Sequence, residues 1–277
     1  MMTLEQLAYK LEPAGHEEQR PTRKYSEPDQ RLKEAFEKWL KNNYTHDMSD
    51  PRWYDEALKL TAKLDCDLDA AHGLLYAYQD HPKIFMAGAF ISTLYNKIPD
   101  KEIVYDLQLP VPIIELGIWL SKDKIIVNKS TTVCHNFGIC AMGTIINCGN
   151  ATSLGSKSCG YVINLGSTGG LAPRSKGPVL NDGKKGNWAW DNGKGLYINF
   201  LDTTGYEIPA LMMDINGKCI GDHLHAGTDL YEYLTPIQAE LQKIKTDHTR
   251  ARAFVEALPP EKLKADILNI MKRYHHV

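Results

Sequence analysis

The chain has 277 residues, of which 43% are hydrophobic and 24% charged, so it can bury a sizeable core and is not disordered by composition. Its formal net charge of -2 excludes a general attraction to nucleic acid or to an anionic membrane surface. No apolar run approaches the roughly 18 residues of a membrane span, and residues 1–10 lack the pattern of a secretion signal. The six cysteines are therefore expected as reduced thiols of a cytoplasmic protein.

Residues 1–110 are predicted to form a helical N-terminal region. A first helix is expected to start near residue 29, after a capping acid or serine. Pro51 follows a serine and an aspartate, which is a strong start signal for the second helix. Further helices are predicted around 68–78 and 82–95, and the last is apolar on most sides, which is typical of a buried helix.

A repeat of about 17 residues dominates the middle of the chain. Its marker is an asparagine that follows an aliphatic residue, and the separations between these asparagines are 19, 17, 17, 18 and 17 residues. They are Asn128, Asn147, Asn164, Asn181, Asn199 and Asn216, preceded by Val127, Ile146, Ile163, Leu180, Ile198 and Ile215. Three consecutive units carry a glycine two positions later, at Gly149, Gly166 and Gly183. Seven positions after the first five asparagines stand His135, Leu154, Leu171, Trp188 and Tyr206.

This repeat predicts a β-solenoid of five to six coils within residues 111–230. Equivalent residues of successive coils would stack about 4.8 Å apart, so the aliphatic residues are expected to fill the interior. The asparagines would exchange side-chain amide hydrogen bonds, and the glycines would occupy corners with positive φ. Because helices are predicted on both sides of the solenoid, the expected fold class is α+β.

Residues 231–277 are predicted to form a C-terminal helical cap. Thr235 and Pro236 are typical of a helix start, and an apolar stripe follows them. Because the open ends of a stacked sheet recruit other chains, helices at both ends are expected to close the solenoid.

Two other interpretations of the glycine-rich middle fail. Residues 166–170 follow a strand, but a phosphate-binding loop needs a helix directly after its glycines, and residues 172–175 lead to another strand instead. The hexapeptide repeat of acyltransferases needs aliphatic residues every sixth position, whereas Gly169 and Ser175 stand six and twelve positions after Ile163.

The glycine corners and single aliphatic strands of residues 124–221 resemble the glycine-rich β-helix at the C-terminus of glutamate synthase large subunits. The tighter Gly-x-Gly-x-Gly grouping of that family does not recur in this chain. The resemblance implies a structural, scaffolding role and carries over no catalytic residue.

Asp222, His223 and His225 form the best candidate metal site, and Cys219 is close in sequence. Two histidines one residue apart on an extended segment place both imidazoles on one side, which suits a divalent metal such as zinc. The alternative is a polar exit from the last coil with solvated histidines. The remaining clustered cysteines fall at different positions of the coil, which favours buried thiols over a catalytic cluster.

Trp190, together with Lys184 and Asp191, is the candidate surface contact. The coil that contains it is one residue longer than its neighbours, which can turn the indole outwards beside polar side chains. An exposed tryptophan of this kind binds sugars, bases or protein partners. The alternative is that Trp190 packs in the core.

A regular repeat without a convergent set of polar groups predicts a non-enzymatic scaffold or binding protein. Its expected partner is another protein or a second copy of the chain, with no nucleic acid and no membrane. The alternative is a metal- or ligand-dependent enzyme with a site near Cys219, Asp222, His223 and His225.

Overall fold

The computed structural model describes residues 25–41, 52–172, 174–188, 195–200, 210–213 and 228–274. It confirms the α+β class, because a parallel β-solenoid forms the middle of the molecule and helices flank it. Among the described residues, no helix combines the length and the apolar character needed to cross a lipid bilayer.

The coils contribute strands to two sheets. The strands of each sheet within the described residues are as follows. The seven-stranded sheet contains, in spatial order, β1 (Glu102–Tyr105), β3 (Ile125–Asn128), β5 (Thr144–Asn147), β7 (Val162–Asn164), β9 (Val179–Asn181), β11 (Leu196–Asn199) and β12 (Ala210–Met213). The five-stranded sheet contains β2 (Ile113–Ile114), β4 (Cys134–His135), β6 (Asn150–Leu154), β8 (Ser167–Leu171) and β10 (Lys184–Trp188). Neighbouring strands are parallel except β11 and β12, which pair antiparallel.

The predicted asparagine ladder is confirmed over five rungs. Asn128, Asn147, Asn164, Asn181 and Asn199 are in register, and each Nδ2 donates to the Oδ1 of the next rung over 2.6 to 2.9 Å. The Nδ2 groups of Asn128, Asn147 and Asn164 each donate also to a backbone carbonyl, as from Asn147 to Ser167 over 3.0 Å. All five side chains are buried, where an unpaired amide would be costly, so the ladder fixes the register of the stack.

The glycine at the end of each ladder strand is required by close approach and not by its φ angle. The expectation of a positive φ at Gly166 is wrong, because its φ lies outside that region. A β-carbon on Gly166 would stand 2.2 Å from the carbonyl oxygen of Gly149 in the preceding coil. Gly183 meets Gly166 in the same way at 2.3 Å. A side chain here would therefore collide with backbone that cannot move away.

The aliphatic column just before the asparagines does not fill the interior, which corrects the sequence prediction. It lies on the outer side of the seven-stranded sheet, here called the covered face: Val127, Ile146, Ile163, Leu180 and Ile198. The interior is filled instead by the residues one position earlier, which are Ile126, Ile145, Val162, Val179 and Tyr197. Successive residues of a strand point to opposite sides, so the two columns serve different cores.

The second predicted column needs one correction. Leu154 and Leu171 lie in the interior as expected, but Phe137 takes the equivalent place in the preceding coil, where His135 was predicted. The 19-residue spacing in this coil explains the shift, because the two extra residues lie before Phe137. The side chains of Trp188 and Tyr206 are outside the described part of the chain.

The N-terminal helices close the first end of the solenoid. They are α1 (Gln30–Lys41), α2 (Arg52–Thr61), α3 (Leu68–Ala77), a 3₁₀ turn (Ile84–Ala87) and α4 (Gly88–Lys97). Asp29 begins α1 by accepting the backbone N–H of Leu32 over 2.7 Å. The apolar sides of these helices share one core with the solenoid interior. The first strand of the stack, β1, precedes the predicted boundary at residue 110.

The C-terminal helices lie along the side of the stack, where the sequence predicted a cap across its end. They are α5 (Thr228–Thr246), α6 (Arg250–Ala257) and α7 (Pro260–Tyr274). Their apolar residues form one cluster with the covered face of five successive strands. Pro236 stands inside α5 and not in its first turn, so the predicted start signal there is wrong. The Tyr161 hydroxyl donates to the Leu258 carbonyl over 2.7 Å and ties α6 to the coil.

Candidate binding surface

The structure places only one of the predicted site residues. Asp222, His223, His225 and Cys219 lie outside the described residues, as do Trp190 and Asp191. Within the described ranges, no group of three or more histidine, cysteine, aspartate or glutamate side chains is placed to hold a metal ion. Lys184 is described, and it lies exposed at the start of β10.

Three of the described cysteines are poor nucleophiles because burial disfavours ionisation of their thiols. Burial raises the pKa of the Cys134 and Cys66 thiols to about 12 and that of Cys148 to about 11. A thiol must ionise to attack or to bind a metal, so these three are inert near neutral pH. Of the four clustered cysteines, Cys134 is buried in the interior as predicted, whereas Cys140, Cys148 and Cys159 are only partly buried.

The outer side of the five-stranded sheet is polar and is not buried, in contrast to the covered face. We call it the open face and define it by Thr152 and Ser153 of β6, Gly169 and Gly170 of β8, and Lys184 of β10. Gly169 and Lys184 are exposed, while Thr152, Ser153 and Gly170 are partly exposed. In β6, Ala151 and Leu154 belong to the interior cluster, and the partly exposed residues Thr152 and Ser153 lie between them.

One pair on the border of the open face carries chemistry. His135 Nδ1 lies 3.0 Å from the Thr152 hydroxyl, which is hydrogen-bonding distance. Burial lowers the pKa of His135, so the imidazole is neutral at neutral pH. Among the described residues, the hydrogen-bond partner of the His135 ring is the Thr152 hydroxyl and not a carboxylate, so the pair lacks the acid that orients a catalytic histidine. The arrangement holds the side chains in place and does not make a nucleophile.

Gly170 is the one glycine of the open face that the fold does not require. A β-carbon there would have the Thr152 carbonyl oxygen as its nearest neighbour, at 3.7 Å, which is ordinary contact. Its φ is also outside the left-handed region. By contrast, a β-carbon on Gly169 would lie 2.8 Å from the same oxygen. Together the two residues leave a stretch of β8 without side chains.

Sequence reasoning did not identify the open face. The available signal was the run of hydroxyl and glycine residues between each ladder asparagine and the following interior leucine, at Thr152, Ser153, Gly169 and Gly170. From the sequence, Gly169 and Gly170 were considered as part of a phosphate-binding loop, and the structure places them within β8.

The chain matches no protein family model, no curated protein sequence and no solved structure.

Proposed function

We propose that this protein is a non-enzymatic scaffold or binding protein and that a partner protein binds its open face. The proposal is supported by the difference between the two outer sides of the solenoid. One is apolar and buried by the chain's own helices, while the other is polar and accessible. A cytoplasmic location and the scaffolding role implied by the glutamate synthase resemblance belong to the same proposal.

The observation that carries the proposal is the bare backbone at Gly169 and Gly170. Glycine inside a strand weakens the strand, since it has no side chain to pack and more freedom to lose. At Gly169 the close approach of Thr152 explains its presence, but at Gly170 the fold has room for a side chain. A glycine that the fold does not need is typical of a place where another backbone or a ligand comes close.

The hydroxyls around this bare stretch suit a protein partner. In the preceding strand, Ser153 pairs with Gly170 and Thr152 lies beside it, while Lys184 of the next strand pairs with Ser167 at the start of β8. Such a flat polar surface binds a complementary surface through many modest contacts, without a deep pocket.

The experiment compares Gly170→Gln with Ala62→Gln, which adds the same side chain at an exposed position after α2. Each purified protein is immobilised and exposed to lysate of the native host, and retained proteins are identified by mass spectrometry. We expect a partner that wild type and Ala62→Gln retain and that Gly170→Gln loses, with melting temperatures of all three alike. Equal retention by all three proteins, or none, would contradict the proposal. Light scattering of the purified chain identifies a second copy as the partner.

A further inference from the structure

One corner of the solenoid carries a column of side chains on strained backbone. Trp119, Cys140, Lys157 and Arg174 occupy the same position in four successive coils, and their φ angles are 53°, 54°, 56° and 60°. Backbone hydrogen bonds hold them in register: Trp119 N–H donates to Ile139 over 3.1 Å, and Cys140 N–H donates to Ser156 over 2.8 Å. Trp119, Cys140 and Lys157 are therefore at equivalent corner positions, and Arg174 follows Lys157 at the 17-residue spacing of the repeat.

Positive φ favours glycine. Two positions earlier, three of these coils have Gly117, Gly138 and Gly155 and the fourth has Ala172, all with positive φ. At the column itself, the same left-handed conformation is imposed on tryptophan, cysteine, lysine and arginine, which adopt it at a conformational cost. Strained positions that keep their side chains concentrate at functional sites.

One end of the column is apolar and exposed. Trp119 is 43% exposed, and Met142, two residues beyond Cys140 in the next coil, is 46% exposed. The ring of Tyr54 from α2 lies 6.4 Å from the Trp119 ring, and Leu58, one turn further along α2, is 39% exposed. The Asn96 amide donates both to the Tyr54 hydroxyl over 2.8 Å and to the Trp119 carbonyl over 3.0 Å, which holds the two rings in place.

The other end of the column is cationic. Lys157 and Arg174 are exposed, and Lys176, two residues beyond Arg174, is exposed as well. Lys264 of α7 donates to the Lys176 carbonyl over 3.2 Å, which brings a fourth cation to this end. We define Trp119, Met142, Lys157, Arg174 and Lys176 as the corner strip.

We propose that the corner strip binds an extended acidic peptide segment that carries one large apolar residue. The apolar residue packs against Trp119 and Met142, and the carboxylates that follow it lie along Lys157, Arg174 and Lys176. Three coil steps separate Trp119 from Arg174, about 14 Å, which matches roughly four residues of extended chain. The corner strip has one indole and a short row of cations, which favours a peptide over a nucleic acid, because nucleic acids use successive stacking platforms. This site is separate from the open face and does not depend on a partner there.

The left-handed backbone allows a specific test. Glycine can replace each strained residue because it adopts positive φ without a steric cost. Trp119→Gly, Lys157→Gly and Arg174→Gly each remove a side chain while leaving the corner geometry allowed. The ligand probe is a set of short fluorescein-labelled peptides with one Phe, Leu or Trp followed by Asp and Glu residues, measured by fluorescence polarisation. The matched control is Lys38→Ala, which removes an exposed lysine from α1.

We expect at least one apolar-acidic peptide to bind wild type and Lys38→Ala equally, and to bind each glycine variant about tenfold more weakly. Peptides with Ala in place of the apolar residue should lose binding, and added salt should weaken it. Melting temperatures of the glycine variants should stay at or above that of wild type. Failure of every peptide to bind wild type, equal binding by the glycine variants, or tighter binding of single-stranded oligonucleotides would overturn the proposal. Clear destabilisation by all three glycine substitutions would also overturn it, because the side chains would then serve the fold.

Discussion

The two outer sides of this solenoid are built from the same coils, but one is buried and the other is exposed. On the covered face, residues such as Ile146 and Ile163 are fully buried under α5, α6 and α7. On the open face, the equivalent outward positions hold Thr152 and Gly169, and these residues remain partly or fully exposed. The repeat therefore specifies the stack, whereas the polarity of one outward position per strand specifies which side the chain covers.

The largest effect is expected from placing a polar side chain on the covered face. Ile163→Asn removes buried apolar contacts and leaves an amide without an assured partner, so we expect a loss of about 4 kcal/mol in the free energy of unfolding. Urea denaturation measures it. The matched change on the open face, Ser153→Asn, should alter stability by less than about 0.5 kcal/mol. Similar losses for both would show that the two sides do not differ.

The second prediction concerns Glu115, a residue beside the five-stranded sheet whose carboxyl group is buried. Glu115 directly follows β2, is 4% exposed, and its Oε1 has no hydrogen-bond partner among the described residues. The Ser92 hydroxyl of α4 donates to the Glu115 backbone carbonyl over 3.4 Å, so α4 packs against this residue. Burial raises the pKa of Glu115 from 4.5 to about 7. The folded protein therefore holds this proton more tightly than the unfolded chain does.

Stability should accordingly be full below about pH 4.5 and fall as the pH rises to about 7, with a loss of about 3 kcal/mol from this group. Urea denaturation at several pH values measures the slope. In Glu115→Gln the slope over this window should largely disappear. A slope that is unchanged in that variant would assign the pH dependence to other groups.

A third comparison uses two glycines whose surroundings differ. Gly166→Val drives a branched side chain into the Gly149 carbonyl, so we expect a loss of about 2 kcal/mol or more. Gly170→Val on the open face has room for its β-carbon and should change stability by less than about 1 kcal/mol. Thermal unfolding of both variants decides the point, and the reverse order would contradict the packing described for the ladder strands.

The smallest effects concern two neighbouring hydroxyls at the edge of the open face. Thr168 is buried and its hydroxyl donates to the Gly170 carbonyl over 2.8 Å, so Thr168→Ala should cost about 1 kcal/mol. Ser167 is partly exposed, and Ser167→Ala should cost less than about 0.5 kcal/mol. Calorimetry of the two variants would contradict the structure if Ser167→Ala were the more damaging.

The repeat was readable in the sequence because stacking forces equivalent residues into equivalent environments. The ladder from Asn128 to Asn199 and the close approach at Gly166 follow from this one constraint. The side on which each column lies was not readable, because two successive residues such as Ile145 and Ile146 are both apolar and both buried. The alternation of apolar and polar residues along a strand cannot distinguish the interior from an outer face that is covered by helices far away in the sequence.

The two binding surfaces were hidden for different reasons. Gly170 looks like any other glycine of a glycine-rich repeat, and only the space around its backbone shows that the fold does not need it. The sequence gives no sign that Trp119 and Lys157 have left-handed backbone, because the usual signal of that conformation is glycine. Lys184 was identified as exposed, but the tryptophan expected beside it lies outside the described residues.

The side-on position of α5, α6 and α7 also restricts how this protein can change its size during evolution. A solenoid normally grows by duplication of a coil, since each coil offers the next the same template. Here a duplicated coil would add another isoleucine or leucine to the covered face, beyond the reach of helices whose contacts are already fixed. Tyr161 is held by Leu258, and Asp182 by Gln238 and Gln242 of α5. The helices thus limit the number of coils that can be covered. Related proteins should therefore differ in loops and surface residues before they differ in coil number.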